Sequence, residues 1–155
     1  MAAVTRPEKS VKQILEQKRA QHALAMVREA EGKFREGSDA RKSFVSCVES
    51  LSAAILTNGL GQAAASLLAE SGKDTNHPHR MVYNSLEKWL CRDDRTAPYQ
   101  KLAGCYPLMT AIVNGDRASY IKAQTEALSY LDWLKKFTVA FLKEPQRRQE
   151  GEANG

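Results

Sequence analysis

Apolar positions along this chain recur every three or four residues and almost never every second one, the spacing of helices packed on a core. β-Branched residues are scattered and no alternating run of useful length occurs, so helices are expected to carry the fold. The first pattern follows Thr5-Arg-Pro-Glu8: Thr5 can cap a helix, Pro7 suits its first turn and Glu8 can close a capping box. It should run to about Lys33. At about 100° per residue its apolar side chains divide into two stripes, Val11, Ile14 and Leu15 on one side and Ala20, Leu24, Val27 and Phe34 nearly opposite. One stripe can enter a core. The other calls for a bend, a flanking helix or a contact with another subunit.

After the polar stretch Glu36-Gly37-Ser38-Asp39, the residues Phe44, Cys47, Val48, Leu51 and Ile55 share one helical face, and Asn58-Gly59 supplies the stop. A short Ala-rich helix should occupy Leu60 to Ser71. The segment Gly72 to Pro78 has turn chemistry, followed by a fourth helix carrying Met81, Val82, Leu86, Trp89 and Leu90. Arg92 to Pro98 reads as a connector. Tyr99, Leu102, Tyr106, Met109, Ile112 and Val113 then define a fifth element, with a kink at Pro107. Asn114-Gly115-Asp116 combines a stop with a new N-cap, and the longest helix follows to about Glu144-Pro145, with Tyr120, Ala127, Leu131, Leu134 and Phe141 facing inward. The expected fold is all-α, a compact helical bundle of about six helices, with residues 1–144 as one domain and 145–155 as a disordered, polar tail.

Composition agrees with a folded domain, since 43% hydrophobic residues are too many for a disordered chain. The formal net charge of +5 makes a polyanion a candidate partner. The apolar run around Leu51 to Leu56 is far short of the roughly 20 residues that span a bilayer. The charged N-terminal residues do not suit a secretory apolar region, so a cytoplasmic location without membrane contact is expected. Cys47, Cys91 and Cys105 match neither a disulfide framework nor paired metal ligands.

Candidate chemistries are few. Gly59-Leu-Gly61-Gln-Ala-Ala64 fits a loose dinucleotide pattern, but that motif needs an entering strand and a βαβ unit, and the residues before it have helical periodicity. Gly59 is read as a helix stop and Gly61 as a point of close helix packing. His77-Pro-His79 has only Asp74 nearby, too few ligands for a metal, and is read as solvated loop. Asp93-Asp94, flanked by Arg92 and Arg95, is read as self-neutralising surface charge. No nucleophile elbow or phosphate loop occurs. Neither a cofactor, a metal nor a catalytic residue is expected. The basic residues say more: Lys9, Lys12 and Arg19 fall on one side of the first helix, with Lys18 close by and Arg41 and Lys42 opening the second. Most aromatic residues have core spacing, which favours tracking of a phosphate backbone over stacking on bases.

Two segments carry a family resemblance. Leu51-Ser-Ala-Ala-Ile-Leu-Thr-Asn-Gly-Leu-Gly-Gln-Ala-Ala-Ala65 resembles the signature of the small subunit of Cmr-type (type III-B) CRISPR complexes, where an apolar helix leads into Thr-Asn-Gly-Leu. Tyr120, Thr125-Glu-Ala-Leu128 and Trp133-Leu-Lys-Lys-Phe137 are similar to the closing helix of that family. The likeness covers roughly Phe44 to Phe141. It implies a non-catalytic helical subunit of an antiviral effector, stacked head to tail with copies of itself beside the backbone and large subunits. Such a subunit lines the groove for target RNA, single-stranded or paired with crRNA, and leaves cleavage to the backbone subunits. Under this reading Lys9, Lys12, Lys18, Arg19, Arg41 and Lys42 face RNA, Val11, Ile14 and Leu15 are candidates for the subunit contact, and Trp133 packs. The competing reading is a helical protein-interaction adaptor with no RNA role.

Overall fold

The computed structural model describes residues 8–100 and 104–145. Among these residues the chain forms six α-helices and no strand: α1 (Val11–Lys33), α2 (Asp39–Asn58), α3 (Leu60–Ser71), α4 (Pro78–Leu90), α5 (Pro107–Asn114) and α6 (Arg117–Phe141). The two longest, α1 and α6, lie along one another. Helix α2 packs on α6, α3 and α4, and the short α5 rests on α3 and α4. Ala23, Val27 and Ala30 of α1 and Ala123 and Ala127 of α6 are completely buried. Their small side chains let the long helices approach closely. Phe44, Val48 and Ile55 of α2, Val82 and Leu86 of α4, and Leu131 and Leu134 of α6 complete the centre of the core. At roughly 1.5–3 kcal/mol per fully buried large aliphatic or aromatic side chain, this layer is the main source of stability.

Each long helix starts on a cap encoded locally. Ser10 Oγ accepts the Gln13 amide at 3.2 Å while Gln13 Oε1 accepts the Ser10 amide at 2.9 Å, a reciprocal box that satisfies two otherwise orphaned donors. Helix α1 therefore begins at Val11, later than the box anticipated at Thr5 to Glu8. Glu8 precedes the helix, and Thr5 and Pro7 lie outside the described residues. Ser38 caps α2 through the Arg41 amide at 3.2 Å, and Asp116 caps α6 through the Ser119 amide at 2.7 Å.

The fourth and fifth elements differ from expectation. Helix α4 starts at Pro78, with His77 as its N-cap, so His79 is helical and half-buried rather than a loop residue. Proline suits the first helical position because its missing N–H would have had no partner there. The same rule applies to Pro107, which opens α5 instead of kinking a longer helix. A residue before proline is pushed away from the helical region, and Tyr106 sits at φ +52° in the left-handed one. Tyr99 is buried from the connector, its amide bonded to the Leu90 carbonyl at 3.2 Å. Its apolar character served the core, not a helix. Phe141, expected inside, is exposed at the end of α6 with the Arg28 guanidinium 4.9 Å from its ring centre. Residues 146–155 of the anticipated tail lie outside the described residues.

The turn between α2 and α3 is a single residue. Gly59 ends one helix and begins the next at φ +84°, and it has no side chain to cap α3. Instead α6 supplies the acceptors: Gln124 Oε1 takes the Leu60 amide at 3.0 Å and the Tyr120 hydroxyl takes the Gly61 amide at 3.1 Å. A Cβ on Gly59 would stand 2.8 Å from that hydroxyl, and one on Gly61 3.3 Å from Ile112. Gly59→Ala should lower stability by about 1–3 kcal/mol, because it combines a disfavoured φ with overpacking. Tyr120→Phe should cost about 1–3 kcal/mol by leaving the Gly61 amide unpaired. Urea titration of both variants, with the slope unchanged and the midpoint lowered, checks these values.

Candidate nucleic-acid interface

The first turns of α1 project beyond the bundle. Residues 11–14 are all exposed, and the first buried side chain of the helix is Ala23. Val11 is 75% exposed and Ile14 41% exposed, whereas Leu15 is half-buried against the core. The stripe read as a subunit contact thus has two unpartnered members and one anchored member. Lys9, Lys12 and Lys18 are exposed beside it. Lys9 Nζ donates to Gln17 Oε1 at 2.9 Å, and Lys18 Nζ lies 3.1 Å from Asp94 Oδ2.

Arg19 belongs to a different environment. Its Nε and Nη2 each lie 2.7 Å from the two carboxylate oxygens of Glu126, and Nη1 lies 2.6 Å from Glu16. Glu126 also accepts the Trp89 indole N–H at 3.0 Å, and Glu16 accepts that of Trp133 at 2.9 Å. This chain of charge-assisted hydrogen bonds joins α1, α4 and α6. The Glu126 hydrogen bond raises the Arg19 pKa, and the Trp133 N–H holds the Glu16 carboxyl below its usual value. Arg41 is likewise turned inward, 9% exposed, donating to the Phe34 and Glu31 carbonyls at 2.9 and 3.1 Å. A cation there complements the C-terminal end of α1. Arg19 and Arg41, both among the basic candidates, have their guanidinium groups engaged within the bundle. The first has an acid partner 107 residues away that no local spacing reveals.

Lys42 is exposed but stands near the other end of α1, and a helix of 23 residues spans about 34 Å. The predicted basic set is thus divided. Lys9, Lys12 and Lys18 lie toward one end, and Lys42 lines a separate groove with Val45, Glu49, Leu142 and Lys143. Arg95 and Lys122 are not among the basic candidates read from the sequence. The fold brings Arg95 beside Lys18, and Lys122 beside Arg95. Neither had a strong local signal, since Arg95 follows two aspartates and the other cations of α6, Arg117, Lys135 and Lys136, lie toward its ends.

The remaining candidates have structural employment. The amides of Leu60 and Gly61, which a dinucleotide motif would present to phosphate, are occupied by Gln124 and Tyr120. His77 Nδ1 accepts the His79 amide at 3.1 Å. Among the described residues no three His, Cys, Asp or Glu side chains converge as metal ligands, and no helix is long and apolar enough to cross a membrane. Cys47 and Cys91 are buried, and burial pushes their thiols up to about 12 and about 11. Trp133 is half-buried, with its ring 5.6 Å from that of Phe137.

The described residues thus form an all-α bundle with a packed interior and an exposed edge that is basic and partly apolar. A family model described as CRISPR-associated protein (Cas_Cmr5) matches residues 15–141. The chain belongs to that family, and with it to the Cmr-type CRISPR machinery. The match reaches beyond the Phe44 to Phe141 likeness into α1, beginning at the residue where α1 first rests on the core.

Electrostatics give two tests. Glu126→Gln should cost about 2–4 kcal/mol, because the largely buried Arg19 would keep only the more exposed Glu16 as a counter-charge. Lys12→Ala should stay within about 0.5 kcal/mol. Chemical denaturation of the two variants side by side separates an internal cation network from a surface one. His22 provides the second test. Its Nδ1 lies 3.0 Å from the Tyr130 hydroxyl and its ring 5.3 Å from Trp89. Burial, then the charges of Lys88 and Arg92, hold its pKa below 6.5. The unfolded state then binds more protons in acid, so the contribution is complete above pH 6.5 and is lost as pH falls through the lower folded value. Unfolding midpoints between about pH 7.5 and 5 should decline, and His22→Asn should flatten that decline.

Proposed function

We propose that this chain is the non-catalytic small subunit of a type III-B (Cmr) RNA-guided effector complex. In this role it stacks with copies of itself beside the backbone and large subunits and lines the groove that receives target RNA in antiviral defence. The observation that carries the reading is the projecting start of α1, where the unpartnered Val11 and Ile14 stand beside the exposed Lys9 and Lys12. One edge then offers both an apolar contact for a neighbouring copy and cations for a phosphate backbone.

Two physical arguments support it. Base pairing reads sequence in RNA-guided systems, so a groove-lining subunit needs distributed positive charge and no base-specific pocket. A weak patch repeated along a stack becomes multivalent, and an open stack needs two different complementary surfaces. Lys9, Lys12 and Lys18 are assigned to the RNA backbone, single-stranded or in the crRNA–target duplex. Lys42 is assigned to a separate contact at the far end of α1. Val11, Ile14 and Leu15 are assigned to the neighbouring copy. The work belongs to the cytoplasm, where crRNA-loaded complexes meet transcripts.

Mixing the purified chain with crRNA-loaded backbone subunits should give stoichiometric co-assembly. Indifference would favour the helical adaptor instead. In the assembled complex, Lys9→Glu, Lys12→Glu and Lys18→Glu together should weaken target-RNA binding. They should also reduce the slope of log affinity against log salt by about 0.7 per lost single-strand contact. An unchanged slope would remove these residues from the RNA face. Val11→Asp with Ile14→Asp should lower the number of copies per complex seen by native mass spectrometry.

A further inference from the structure

Helix α5 is the shortest of the six, and little in its own sequence holds it. Its 8 residues fall well under the roughly 12–15 that a helix needs to persist alone in water. Tyr106, at its N-cap, gives it no side-chain hydrogen bond and itself sits in the left-handed region at φ +52°. Non-glycine residues stay in that region only where surrounding contacts hold them there. Of the α5 side chains only Leu108 and Ala111 are buried, and Val113 is exposed. Glycines stand on both sides of the helix, Gly104 at φ +118° before it and Gly115 after it.

What α5 lacks is provided by one face of α4. Arg80, Tyr83 and Glu87 follow one another at helical spacing, and all three reach the start of α5. Glu87 Oε2 accepts the Leu108 amide at 3.2 Å and the Tyr83 hydroxyl at 2.9 Å, so a carboxylate stands at the positive end of α5. The Arg80 guanidinium lies 5.5 Å from the Tyr106 ring centre and donates to the Tyr106 hydroxyl at 3.3 Å. The Tyr83 ring meets that of Tyr106 edge on, with centres 6.2 Å apart. Together these contacts hold Tyr106 in its left-handed conformation and Leu108 in its seat.

The rest of the bundle is joined without α5. Arg80 also donates to Ser71 Oγ and to the Gly72 carbonyl, which ties α4 to the end of α3. The Leu60 and Gly61 amides have their acceptors on α6, and α5 only adds Ile112 over Gly61 from outside. Helices α1, α2, α4 and α6 pack on one another. Opening free energies within one protein range from near zero to the global value, and units with few buried contacts lie at the low end.

We propose that α5 is a strap that opens and recloses as one unit about Gly104 and Gly115 while the other five helices stay folded, with the Arg80, Tyr83 and Glu87 row of α4 as its catch. Opening unseats Leu108 and Ala111 and uncovers a cation, a phenol and a carboxylate on one helical face. The strap belongs to the isolated chain and does not depend on RNA or on neighbouring copies.

Native-state hydrogen exchange of the full chain, followed by NMR at urea concentrations below the unfolding transition, tests this. The amides of Ala111 to Asn114 should be protected on the order of a hundredfold less than those of Tyr130 to Leu134 in α6, and their exchange should respond little to urea. Glu87→Gln should lower α5 protection about tenfold further, the loss expected when a charged acceptor becomes a neutral one. Ile55→Val, a core change on α2, should lower α6 protection several-fold and leave that of α5 unchanged, because it weakens the closed and open forms equally. Should Glu87→Gln fail to fold, Tyr106→Phe removes only the Arg80 contact to the hydroxyl and should lower α5 protection by a smaller factor. Equal protection in α5 and α6, falling together in Ile55→Val, would mean that α5 leaves only with the whole fold, and the proposal is wrong. Protection of α5 that neither Glu87→Gln nor Tyr106→Phe moves would remove the α4 row as its catch.

Discussion

Helix α3 begins without a capping side chain, and the position of α6 follows from that lack. Gly59 turns the chain between two helices in one residue, leaving the Leu60 and Gly61 amides to be satisfied from elsewhere. Gln124 and Tyr120 satisfy them from one turn of α6, close enough that glycine is required at position 59. Leaving such donors unpaired would cost roughly 1–3 kcal/mol each, so the contact constrains register as well as distance. Once α6 is placed against the α2–α3 corner, its next turns meet α1 and α4. The two sequence segments that resemble the Cmr small subunit are therefore two sides of one joint.

The interior then divides the cations into two kinds. Arg19 lies where α1 crosses Glu126, and Arg41 closes the C-terminal end of α1. Arg80 does the same for α3, donating to the Gly72 carbonyl at 2.6 Å and to Ser71 Oγ at 3.1 Å. Guanidinium groups suit such places because several fixed donors can satisfy carbonyls and carboxylates together. Lysines remain at the surface, as Lys9, Lys12 and Lys122 do. A net charge of +5 therefore does not distinguish the arginines employed inside the bundle from the lysines left at its surface.

Functionally, the molecule is an arrangement of edges. The first turns of α1 carry apolar and basic residues that the bundle does not use, and the connector between α4 and α5 adds Arg95 close to Lys18. The core holds these edges in fixed relation to one another.

Helix existence, the Asn58-Gly59 stop, the Asp116 cap and most of the core were legible in the sequence, because periodicity, caps and glycine conformations are local properties. So was the family, through two short motifs. The true start of α1, the loop character of Tyr99 and the exposure of Phe141 were less legible. Each depends on a choice among adequate local signals that neighbouring elements make. Least legible was which basic residues remain free. Arg19 and Lys12 are both basic and on the same helix, yet one is bound to Glu126 and the other stands at the surface, because ion pairing is decided by acids that arrive from distant segments. Sequence by itself determined that this is a helical bundle of the Cmr family. Only the tertiary structure decided which of its charges hold the bundle together and which are left facing outward, since burial and pairing are properties of the packed chain.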